Sequence, residues 1–138
     1  MNRLRNWMRE HPEEGSLSAY FVLLAVVLMG VVGLVVDSSG KYREVEHAQL
    51  VASGASRSAV NAVTGTAQAN GSVAINSIAA RTAAENYIAA SGLTGTVTVS
   101  GDVVTVTVES SYDTRFISLL GVNQLPAQAT SSAQLITN

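Results

Sequence analysis

The sequence predicts an α+β protein. One long N-terminal helix, membrane-spanning first and amphipathic afterwards, carries a small head of a second helix and a three-stranded antiparallel sheet. Three observations predict it. Residues 17–36 hold neither charge nor proline; no proline falls between Pro12 and Pro126; and two alternating Val/Thr runs flank Gly101-Asp102.

The first element is LSAYFVLLAVVLMGVVGLVV, residues 17–36. As a helix it rises about 30 Å, the thickness of a bilayer's hydrocarbon core. A cleaved secretory signal has a shorter apolar core, about 7–15 residues, so this stretch reads as a span. Arg3, Arg5 and Arg9 precede it, and Lys41 and Arg43 follow it. That bias favours a cytoplasmic N-terminus and an extracellular head on the cell membrane.

Nothing forces a break after the span. Val45, Ala48, Ala52, Ala55, Ala59 and Ala62 recur at steps of three and four, as one buried helix face requires. Asp37 and Lys41 stand in the acid-first i,i+4 order that supports a helix. The pattern predicts a single helix from about Leu17 to Val63, ended by Gly65, Asn70 and Gly71. Gly30, Gly33, Asp37 and Gly40 share one of its faces. Small residues let helices approach closely in membranes, so this face is a candidate seam for another helix.

Residues 73–90 (VAINSIAARTAAENYIAA) predict the second helix, with Ile75, Ile78, Ala79, Ala83 and Tyr87 inward and Ser91-Gly92 as its stop. The hairpin follows. A two-residue loop at Gly101-Asp102 pairs Ser100 with Val103, Val99 with Val104, Thr98 with Thr105 and Val97 with Val106. That register gathers the valines on one face and Thr96, Thr98, Thr105 and Thr107 on the other, and a one-residue slip would destroy it. RFISLL (115–120) reads as a short helical turn stopped by Gly121. After Pro126, small residues at 127, 129, 131 and 133 alternate with polar ones, a last strand with a small inner face. The expected organisation is a tail at 1–15, the long helix at 16–63 and the head at 64–138.

Equipment for catalysis is thin. Charged residues make up 13%, about half the usual share of roughly 25%. There is no cysteine, hence no disulfide framework, thiol nucleophile or cysteine-bound metal. The net charge of −2 comes without a basic patch, which argues against nucleic acid. His11 lies in the tail, and His47 has only Glu44 and Glu46 nearby, short of the three or four ligands a metal needs. Gly92, Gly95 and Gly101 form no phosphate-binding motif. Asn70-Gly71-Ser72 is a glycosylation sequon and equally an ordinary turn. The composition favours a structural protein that is not an enzyme and takes no cofactor or metal. A membrane-anchored binding or adhesion module is the alternative, using the threonine face or residues 116–120. A hydrolase resting on His47 comes last.

The chain also resembles a known family. Glu13-Glu14-Gly15-Ser16-Leu17-Ser18-Ala19-Tyr20-Phe21 leading into an apolar helix is similar to the start of TadE/TadG-like proteins of Tad (tight adherence) pilus assembly. The similarity continues through Gly33-Leu34-Val35-Val36-Asp37, the Ala-rich helix, the Thr/Val hairpin and Phe116-Ile117-Ser118-Leu119-Leu120-Gly121-Val122. It implies a pilin-like subunit or assembly factor, partnered by the membrane, by other pilin-like or assembly proteins, and by a prepilin-type peptidase. The processing bond it implies is Gly15–Ser16. Tyr20 stands where major pilins carry a glutamate, so the resemblance implies a minor pilin or an uncleaved assembly factor rather than the main filament subunit.

Overall fold

A computed structural model describes residues 14–70 and 77–134. Helix α1 runs unbroken over Glu14–Asn70, 57 residues and about 85 Å at 1.5 Å per residue. Helix α2 covers Ser77–Ala90. The strands are β1 (Thr94–Ser100), β2 (Val103–Asp113) and β3 (Gln124–Gln134), with a 3-10 turn at Ile117–Leu120 between the last two. They form one antiparallel sheet in the order β1-β2-β3.

Helix α1 outlasts its expected end at Val63. One glycine inside a helix costs only about 1 kcal/mol, so Gly65 does not stop it, and the helix closes at Asn70. The expected stripe is in place: Ala48, Ala52, Ala55 and Ala59 are fully buried, while Val45 and Ala62 are half-buried. Val51, Ser56 and Val63 join it, widening the buried face.

The hairpin register matches the expected pairs one for one, from Ser100↔Val103 to Val97↔Val106. Gly101 has φ +61°, and among the described residues no other residue type has positive φ, so the loop places glycine first, as a type II′ turn wants. Val104, Val106 and Val108 are buried against the helices, with Val97 and Val99 packed on them. On the opposite face Thr105 bonds Ser132 (2.9 Å) and Thr107 bonds Thr130 (3.0 Å). Strand β3 buries Ala127 and Ala129, and it begins two residues before Pro126. Being an edge strand, it tolerates the missing N–H.

A second expectation fails. The inward face of α2 is Ala80, Ala84 and Ile88, not the stripe of Ile78, Ala79, Ala83 and Tyr87. Ile78 is 76% exposed and Tyr87 44%, while Ala79 and Ala83 are half-buried. Ile75 lies outside the described residues. Ala80 and Ala84 let α2 lie close against the alanines of α1; Ile78 is turned to the rim, and Tyr87 sits half-exposed at the edge of the contact. The core therefore sits between the C-terminal part of α1, α2 and the valine face of the sheet.

Candidate functional site

The distinctive geometry lies on α1 where its uncharged stretch ends. Every residue from 16 to 32 is exposed, including Leu17, Phe21, Leu23 and Met29. Then the same face that carries Gly30 becomes covered, and what covers it is the segment leading out of β2.

Gly33 is buried beneath Phe116: a Cβ at Gly33 would lie 2.8 Å from the Phe116 Cβ and 2.9 Å from its Cγ. One turn on, the fully buried Asp37 carboxylate accepts three backbone N–H bonds. Arg115 donates to Oδ1 (2.8 Å); Phe116 and Ile117 donate to Oδ2 (2.9 and 2.7 Å). The Tyr112 hydroxyl donates to the same carboxylate. Gly40 lies under the Tyr112 ring, where a Cβ would overlap the ring's outer atoms. Next along the face, Ser110 donates to Glu44 (2.7 Å), and Ser131 meets Ser53 and Ser56 at 3.4 Å.

Physically, Asp37 caps the 3-10 turn from 78–80 residues away. The turn has no side-chain cap of its own at Phe116, and its free N–H groups need an acceptor. A carboxylate taking several backbone N–H bonds is a charge-assisted, strongly directional anchor. It satisfies both the buried carboxylate and the turn, so neither is left unpaired. Asp37 is thus engaged by the head rather than by Lys41, the partner its spacing suggests.

The seam residues therefore divide. The structure puts Gly33, Asp37 and Gly40 against the chain's own head; around a Cβ at Gly30 nothing lies within 4 Å. One helix among the described residues, α1, is long and apolar enough to cross a membrane, and it is the helix that holds the head. Residues 15–68 match the family model Tad, described as "Putative Flp pilus-assembly TadE/G-like". The Tad match takes in all of the seam and most of α1. The wider resemblance read from the sequence, through the hairpin and last strand, lies beyond it. No curated protein and no solved structure matches the chain.

Within the Tad-matched segment, Gly15 and Ser16 lie in the first turn of α1, and Ser16 is exposed. Tyr20 is 61% exposed, its ring edge-on to Phe21 at 6.3 Å. His47 is exposed on α1, and among the described residues no three His, Cys, Asp or Glu side chains converge as metal ligands. His11 lies outside the described residues.

Sequence reasoning missed Tyr112 and Gly54, and it turned Tyr87 inward without naming what it meets. Tyr87 lies over Gly54 as Tyr112 lies over Gly40, so a Cβ at Gly54 would collide with the tyrosine's outer ring and hydroxyl. The available signal was the spacing of Gly33, Gly40 and Gly54 in multiples of seven, which keeps all three near one helix face.

Proposed function

We propose that the chain is a single-pass, pilin-like component or assembly factor of a Tad-type pilus or secretion machine, with its N-terminus cytoplasmic and its head outside. The observation that carries this reading is an apolar stretch of α1, exposed at every residue from 16 to 32 and inside the Tad-matched segment, continuing without a break into the part that bears the head. An apolar helix left bare by its own fold needs lipid or a neighbouring helix. The protein works by moving that helix between those two surroundings, with Gly30 as the open small position for close approach. Exposed Tyr20 in place of a glutamate suits an accessory position rather than the repeating filament subunit.

Processing by a prepilin-type peptidase at Gly15–Ser16 belongs to the same reading. Intact-mass measurement on protein from the native host tests it: loss of residues 1–15 is expected, and a chain still starting at Met1 refutes it. Fractionation tests the wider proposal. The protein should co-purify with membranes and with a sheared pilus fraction, and full recovery in the cytosol would overturn it.

A further inference from the structure

The segment Phe116–Val122 (FISLLGV) is uncharged, and its tip is bare: Leu119 is 85% and Leu120 81% exposed, with Phe116 and Val122 at 45% and 42%. On an isolated head this would be an unexplained apolar patch. Its position explains it. Phe116 rests on Gly33, three residues before the end of the uncharged stretch at Val36, so the contact lies about 4.5 Å on the apolar side of that end.

Two further observations set the level of the bilayer. Tyr20 and Tyr42 are exposed at 61% and 75%. Their 22-residue separation is about 33 Å of helix, close to a hydrocarbon core, and tyrosine favours both membrane interfaces. Residues 112–117, which contact Gly33 to Gly40, therefore approach α1 between these two rings.

The segment is also built for lipid. Backbone at membrane depth must satisfy its own polar groups. Here the N–H groups of 115, 116 and 117 end on Asp37. Leu119 N–H bonds the Phe116 carbonyl (3.2 Å), Gly121 the Ser118 carbonyl (3.0 Å) and Val122 the Ile117 carbonyl (3.4 Å). The Ser118 hydroxyl returns to the Arg115 carbonyl at 3.0 Å, and that of Thr114 to the Val122 carbonyl. The loop in turn roofs Asp37, whose bare carboxylate would be costly beside acyl chains.

We propose that Phe116–Val122 is a second membrane contact, a wedge inserted beside the span into the leaflet on the head's side, with Leu119 and Leu120 among the phospholipid acyl chains. This rests on the spanning reading of α1, and the experiment separates the two. The chain has one tryptophan, Trp7. In a Trp7→Phe background, the full chain carrying Leu119→Trp, Leu120→Trp, Leu28→Trp or Thr98→Trp is reconstituted into phosphatidylcholine vesicles, with acyl chains either plain or brominated both near the glycerol and near the methyl end, so that the mid-span Leu28 and the shallower loop each meet bromine. Bromine quenches tryptophan only on contact. The wedge requires at least twofold quenching of Leu119→Trp and Leu120→Trp, alongside Leu28→Trp, and none of Thr98→Trp. Quenching of Leu28→Trp alone overturns the wedge and leaves the span standing. No quenching of Leu28→Trp overturns both. A blue-shifted but unquenched tryptophan at 119 and 120 means that a second copy covers the loop, and overturns the proposal as well.

Discussion

Replacing Gly33 by alanine isolates the contact that joins head to helix. The new Cβ would meet Cβ and Cγ of Phe116 at 2.8 and 2.9 Å, atoms next to the backbone rather than the free end of a side chain. Phe116 cannot swing clear by rotating its ring, so its backbone must withdraw and take its N–H from Asp37. Overpacking of this kind costs about 1–3 kcal/mol. Against it stands alanine's intrinsic helix advantage, about 1 kcal/mol. Gly30→Ala carries that same advantage without the clash, since nothing lies within 4 Å of its Cβ. The difference between the two variants is therefore the steric cost itself, about 5- to 150-fold as an equilibrium constant. Amide hydrogen exchange at Arg115, Phe116 and Ile117, on the full chain in detergent micelles, reads it directly, because these N–H groups are the ones Asp37 holds. Protection should fall by that factor in Gly33→Ala relative to Gly30→Ala. Equal protection in the two variants would refute the docking argument.

Other outcomes follow from the same packing. Asp37→Ala should release the turn and expose the bond after Arg115 to trypsin, while Lys41→Ala leaves the cleavage rate as it was; timed digestion of the micellar protein distinguishes them. Val106→Ala, at a fully buried position in the middle strand, should lower stability by about 2 kcal/mol in denaturant unfolding. Thr98→Ala, on the exposed face, should stay within about 0.5 kcal/mol. Gly101→Ala forces a side chain into φ +61° and should cost about 1–2 kcal/mol by the same assay; an unchanged midpoint would contradict the II′ assignment.

The sheet and the long helix were legible because their signals are local. Alternating Val and Thr around Gly101-Asp102 admit one register that keeps the valines together, and the structure has it. The alanine stripe of α1 was legible because Ala48, Ala52, Ala55 and Ala59 stand among larger or polar neighbours. Helix α2 offers no such contrast. Ala79, Ala80, Ala83 and Ala84 all look alike, and the eye goes to Ile78, which the tight alanine contact leaves outside, and to Tyr87, which it leaves at the edge over Gly54. The seam was legible as a face but not for what fills it. Asp37 is held by the backbone N–H groups of 115–117 and by Tyr112, and backbone donors leave no trace in residue identity. Phe116 and Tyr112 meet Gly33 and Gly40 only because the β2 strand carries the chain back toward the apolar end of α1.

The grip of Phe116, Tyr112 and Ser110 on Gly33, Asp37, Gly40 and Glu44 has a mechanical consequence. It straddles the point where the uncharged stretch gives way to charge, the place where a tethered domain would ordinarily have its swivel. Here that joint is splinted. From Val36 to Asn70 the helix extends about 51 Å, so a 10° tilt of its inner half carries its far end sideways by about 9 Å. Rotation about the helix axis likewise turns the sheet through the same angle. A pull or twist applied to the apolar end of α1 thus arrives at the sheet with its direction intact.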